Sequence, residues 1–269
     1  MYFESPYPVS ALESQDPDAT VGNVHINKSN GDFYLSALST QPVNVAGNMT
    51  VAGGNTCFGQ GNTLIVQGVM DIQDGAEYYI PSMTDELPGG DQSDFAGYPS
   101  GKEGGKGGNF ETGSDFTLNG LLHVGNGDAL VHGIFELGPT GELTIDGGSF
   151  IVDAPFDEGK GFQYLYGTLN LSAGLFEITH NSIYLAAGFT DNITGGTIRC
   201  GFTFYASAPG IFEPVNNVVE LTGGGNPYIV CENGNHFNDL IINRSDITAL
   251  YSDITVTNDF AILAGALDS

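Results

Sequence analysis

Between Gly113 and Ala187, short apolar segments return about every seven or eight residues, each with a Gly or Asn beside it: GSDFTLNG, GLLHVGNG, DALVHG, GIFELGPTG, GELTIDGG, GSFIVDA, GTLNLSAG, GLFEITHN and SIYLAAG. Inside several of them apolar and polar residues alternate, as in Phe116/Leu118, Leu143/Ile145, Leu169/Leu171, Phe176/Ile178 and Ile183/Leu185. A period of two puts each pair on one face of a strand. Gly at the breaks supplies the positive φ that a sharp corner needs. No window repeats apolar residues at helical spacing over ten or more positions, so no helix is expected. A chain of this kind must fold as many short strands joined by tight corners.

The same pattern brackets the rest of the chain. Residues 1–20 hold Pro6, Pro8 and Pro17 among several acids and read as an extended lead-in or cap. Residues 21–269 read as a single β-solenoid domain with a loop insertion at 81–112, and because its last repeat stops in mid-pattern at GALDS it reads as a fragment of a longer chain. Inward candidates are Val24, Ile26, Met49, Val51, Leu64, Val66, Met70 and Ile72 on the N-terminal side. Their C-terminal counterparts are Ile198, Val219, Leu221, Leu240, Ile242, Ile254, Val256 and Ile262. Residues 81–112 break the alternation with many glycines and few aliphatics, and read as a long loop excursion from one corner.

An internal repeat is visible. GNVHINKS (22–29) aligns with NDLIINRS (238–245), and GNMTVAGG (47–54) with NDFAILAG (258–265). Strands seven or eight residues apart leave two or three residues per corner, which suits either an antiparallel sandwich of hairpins or a parallel β-helix. Three such units give about 21–24 residues per coil, within the range of solenoid repeats. Hairpins should show two-residue Asn-Gly or Asp-Gly turns. Asn119-Gly120 and Asp146-Gly147 qualify, but many corners carry a single Gly. The reading is therefore an all-β right-handed parallel β-helix with one Gly-rich excursion, the antiparallel β-sandwich being the alternative. Roughly ten coils at about 4.8 Å each would make a rod on the order of 50 Å long.

The stretch FNDLIINRSDITALYSDITVTNDFAILAGALD resembles a repeat of large secreted bacterial surface proteins, and VGNVHINKSNGDFYL with VNVAGNMTVAGG resembles a looser copy. The resemblance covers about 65 residues at the two ends. It implies a right-handed parallel β-helix of the pectin-lyase-like or adhesin type and carries no catalytic residue.

Charge narrows the partners. There are 32 Asp and Glu against six Lys and Arg (Lys28, Lys102, Lys106, Lys160, Arg199 and Arg244), a formal net charge of −26. Such a surface repels phosphate backbones and anionic membranes, so no nucleic-acid partner is expected. No apolar run approaches the roughly 18 residues that span a bilayer, so no membrane insertion is expected either. The start, MYFESPYPVS, has no basic n-region and no apolar h-region. The composition, rich in Gly, Asn and Thr and poor in Lys, points to a secreted or cell-surface segment. Cys57, Cys200 and Cys231 form no CxxC pair and read as small buried hydrophobes, with a Cys200–Cys231 bridge as the other option.

Candidate sites gather at the excursion. Asp85, Glu86, Asp91 and Asp94 offer hard oxygen ligands on flexible backbone, suited to Ca²⁺. Their spacing matches no EF-hand loop, and a solvated acidic loop is the plain alternative. Tyr78, Tyr79, Phe95 and Tyr98 flank or lie in the loop and, if exposed, would stack on sugar rings. GYPSGKEGGKGG (97–108) fails as a phosphate loop because Glu103 stands where Ser or Thr would bind Mg²⁺. No polygalacturonase-like signature occurs, Val131-His132-Gly133 being the nearest echo. The remaining aromatics are expected to stack inside the solenoid. The function expected is a structural or adhesive segment of a surface protein, self-associating end to end or meeting cell-surface glycans. A polysaccharide-binding or polysaccharide-degrading β-helix is the alternative.

Overall fold

The structure, a computed structural model, describes residues 2–3, 9–12, 20–27, 32–35, 43–52, 56–59, 63–66, 70–72, 77–80, 109–112, 116–124, 128–154 and 162–268. Among them the secondary structure is all strand, with no helix. The turn that contains Phe116–Leu118, Leu121–Val124 and Asp128–Val131 shows how the chain winds. Each of these three strands begins one side, here faces 1, 2 and 3, and the next turn repeats them in the same order. Phe116 on face 1 pairs in parallel with Phe135, Leu122 on face 2 with Leu143, and Ala129 on face 3 with Phe150. Every described strand pairing is parallel and joins one turn to the next, so the fold is a parallel β-solenoid.

Alternation sorts the side chains as the sequence requires. The strands of this middle region show one residue buried, the next partly exposed. Phe116, Leu118, Leu143, Ile145, Leu169, Leu171, Phe176, Ile178, Ile183 and Leu185 are all buried. Val24, Ile26, Met49, Val51, Val66 and Met70 are buried at the N-terminal side, and Ile198, Val219, Leu221, Leu240 and Ile242 at the other. Ile254 and Val256 are only partly buried. Ile262 is 45 % exposed although it pairs with buried Ile242, because nothing among the described residues stacks over its strand. The internal repeat is real in three dimensions: Val24 pairs with Met49, and the aligned Leu240 with Phe260.

The phenylalanines unite the faces. Phe116 and Phe135 from face 1 meet Phe150 and Phe176 from face 3 in one internal stack, with centroids 5.6 Å (Phe116–Phe135), 4.7 Å (Phe135–Phe150) and 5.9 Å (Phe150–Phe176) apart. Faces 1 and 3 merge at the C-terminal end because the twelve-residue strand Asp239–Leu250 runs round the corner. Its first residues pair with Val218–Leu221 and its last with Tyr228–Ile229.

Face 2 holds eight strands, so about eight described turns carry all three faces; the parallel ladder of face 1 runs on through Tyr228–Cys231 into Asp239–Leu250, which brings the described coil close to the roughly ten turns expected. Apart from the turn that contains residues 81–108, which takes 46 positions from Met70 to Phe116, turns vary in length from 19 positions between Phe116 and Phe135 to 28 between Glu136 and Tyr164. After Thr190–Ile193, moreover, the face 2 side continues as irregular chain. Asn235, buried inside it, organises this stretch: its Oδ1 accepts from the N–H groups of Ile211 and Phe212, and its Nδ2 donates to the carbonyls of Ala206 and Ala208. One side chain thus bonds four backbone groups, of which the Ala206 carbonyl also accepts from the Glu232 N–H. Phe212 and Phe237 turn inward onto Phe204 and keep the core continuous.

Glu77–Ile80 lies on face 2 and Asn109–Thr112 on face 3 of one turn; the loop expected over 81–112 therefore does not include Asn109–Thr112, which is strand, and residues 81–108 lie outside the described residues.

Candidate functional site

Of the candidate site residues singled out in the sequence, only Tyr78 and Tyr79 are among those described. Asp85, Glu86, Asp91, Asp94, Phe95 and Tyr98 lie outside the described residues. Tyr79 pairs with Phe58 and His123 on face 2. Tyr78 is fully buried in the core, so the exposure on which stacking against a sugar depends is not met there. Among the described residues no group of three or more His, Cys, Asp or Glu side chains is placed to hold a metal ion.

Both arginines have structural work. Arg199 stands on face 3 between carboxylates of the turns on either side, donating from Nη1 to Glu177 and from Nε to Glu220, each at 2.9 Å. Asn243 also donates to Glu220 at 2.7 Å. Burial alone would push the Glu220 carboxyl up; the bonds from Asn243 and Arg199 outweigh it and hold the carboxyl below its usual range. Arg244 is 2 % exposed and donates from Nη2 to the carbonyls of Phe202 and Cys200. Burial lowers its pKa from the ordinary guanidinium value. Cys200 and Cys231 are buried and not bridged, which settles them as small core residues. Burial raises the thiol pKa of both, that of Cys231 to about 12, so neither is a thiolate nucleophile at neutral pH.

Asp191 is the described carboxylate with an upward shift. It occupies the register of buried Leu169 at the last strand of face 2, and its Oδ2 accepts from the N–H of Glu213 at 2.6 Å. Burial raises its pKa above the ordinary aspartate value, and the nearby Glu213 carboxylate adds to this, against the opposing Glu213 N–H bond and His236. Its visible task is to hold the irregular segment that takes over from the strand.

A cavity of about 420 Å³ opens where Glu232, Asn233 and Asn235 face Tyr251, Ser252 and Asp253 of the next turn.

The most distinctive surface lies on the outside of face 1. Tyr164, Tyr184 and Tyr205 occupy one outward row, paired turn to turn. Ring centroids are 5.1 Å apart for Tyr164–Tyr184, tilted by 53°, and 4.8 Å for Tyr184–Tyr205, stacked at 8°. Phe162 and Tyr166 extend the row along the strand of Tyr164, at 6.2 and 6.1 Å from it. Tyr164 is 38 % exposed, whereas the internal stack is all phenylalanine. A second pair, Tyr228 and Tyr251, stacks at 4.7 Å. Burial raises the Tyr228 pKa, and the phenols of Tyr205 and Tyr251 add to it. The expectation that aromatics stack inside holds for the core phenylalanines and is corrected for Tyr164, Tyr184 and Tyr205, which stand outward, where a phenol keeps its access to water. The signal was present in FQYLYG, SIYLAA and FTFYAS, where Tyr164, Tyr184 and Tyr205 recur at outward positions 20 and 21 residues apart.

No family model matches the chain, and neither does a curated protein or a solved structure.

Proposed function

We propose that this chain is a structural segment of a secreted or cell-surface protein, a stiff solenoid rod that spaces or presents other parts. One observation carries the reading: side chains of like kind stack from turn to turn both inside and outside the coil. Inside runs the phenylalanine stack. Outside run the Glu177–Arg199–Glu220 row on face 3 and an amide row on face 2, where Asn192 donates to Asn170 and Asn170 to Glu142 and Thr144. Each row ties a turn to its neighbours, as a rod that resists bending and stretching requires. The acid-rich, base-poor composition supports an exposed, soluble setting.

End-to-end self-association belongs to the same reading. The strand Phe260–Asp268 presents Phe260, Ile262 and Leu263, which are 46, 45 and 66 % exposed. The N-terminal turns repeat the pairing geometry of this end, so a second copy would offer it a matching strand.

Stretching the chain between terminal tethers in an optical trap tests the rod. Extension in successive steps of about one turn, with no soft regime before them, is the expected record. A compliant chain at low force, or release of reducing ends from pectin or alginate by the purified protein, would contradict it.

A further inference from the structure

The outer row of face 1 is more than a structural ladder needs. An outward row is stabilised by any pair of polar or β-branched residues, and faces 2 and 3 use amides and charges. Face 1 instead places Phe162, Tyr164, Tyr166, Tyr184 and Tyr205 in one connected sheet of rings, with Tyr164 38 % exposed and tilted by 53° from Tyr184. On the N-terminal side the row ends at Glu136, which pairs with Tyr164.

From this arrangement we propose that the face 1 row is a binding track for a neutral, unbranched polysaccharide lying along the solenoid axis. Three features select that ligand. Successive rings stand one turn apart, close to the length of one pyranose unit; Tyr184 and Tyr205 stack on each other and offer their edges, while Tyr164, tilted from them and 38 % exposed, is the ring on which a sugar would stack. Phenol hydroxyls and the Glu136 carboxylate give donors and acceptors at the rim of apolar ring surface, the mixture that sugars present in reverse. No described arginine serves the track, since Arg199 belongs to face 3 and Arg244 is buried, and the chain carries −26 overall. An anionic sugar would be repelled. The track is independent of the rod: the solenoid would stand unchanged if it bound nothing.

The chain has no tryptophan, so its tyrosines dominate its intrinsic emission. The test is a titration of the native chain with cellohexaose, xylohexaose and maltohexaose, followed by tyrosine fluorescence, with polygalacturonate and a polyproline peptide alongside. The expected result is a saturable change with at least one neutral oligosaccharide and none with polygalacturonate. Tyr164→Ala and Tyr184→Ala should each weaken that binding about tenfold at unchanged melting temperature. A second measurement needs no variant: saturating oligosaccharide should slow nitration of Tyr164 in the native chain. No saturable change with any neutral probe, unchanged affinity in both folded variants, unprotected Tyr164, or tighter binding of polygalacturonate or polyproline would overturn the proposal.

Discussion

Gly174 turns the corner between faces 2 and 3 with φ of +80°, and a Cβ built on it would lie 2.1 Å from the carbonyl oxygen of Gly147 one turn below. Both the backbone conformation and the space demand glycine. Gly174→Ala should therefore cost about 2 kcal/mol or more, read from the urea midpoint; an unchanged midpoint would mean that this corner is wider than described. Asp191 gives a prediction of the opposite sense. Its pKa is raised in the fold, so its contribution is favourable below the unfolded value of 3.8 and is lost as pH rises through the higher folded value. At neutral pH the buried charge is a burden, and Asp191→Asn keeps an oxygen to accept the Glu213 N–H. The variant should match or exceed the parent in stability at pH 7 and lose that advantage as pH falls toward 4, by thermal unfolding across the range. Marked destabilisation at pH 7 would show that the charge on the Glu213 N–H bond outweighs desolvation.

At the scale of elements, the stack of Phe116, Phe135, Phe150 and Phe176 joins face 1 to face 3. Phe150 sits within 6.3 Å of each of the other three rings. Phe150→Ala would leave a cavity that rigid strands on three sides cannot close, and should cost about 3–5 kcal/mol. A loss under 1 kcal/mol in calorimetry would mean that the turns collapse onto the gap. These strands were legible in the sequence because period-two alternation is a local property, and Leu143/Ile145 or Phe176/Ile178 declare an inward face without knowledge of any partner. The irregular side after Ile193 was not legible. Its shape depends on Asn235 reaching four backbone groups of residues more than 20 positions away, and nothing local marks that asparagine. The tyrosine row was half legible: each outward Tyr could be read from its strand, but their contact depends on turn lengths of 20 and 21 residues falling into register.

For the whole molecule, the central claim is that every turn adds one strand spacing along a single axis. Register makes this quantitative. On face 1, His25, Thr50, Asp71, Thr117, Glu136, Tyr164, Tyr184 and Tyr205 form one row, each paired with the next. Seven steps separate His25 from Tyr205 and six separate Thr50 from Tyr205. The decisive measurement is the distance between nitroxide labels on cysteines introduced at these two pairs, with the native cysteines replaced by Ala, by double electron–electron resonance. At about 4.8 Å per step, the account predicts separations of about 34 and 29 Å, differing by one turn. Separations that fail to grow with the number of intervening turns, as antiparallel hairpins folded back beside each other would give, would contradict it.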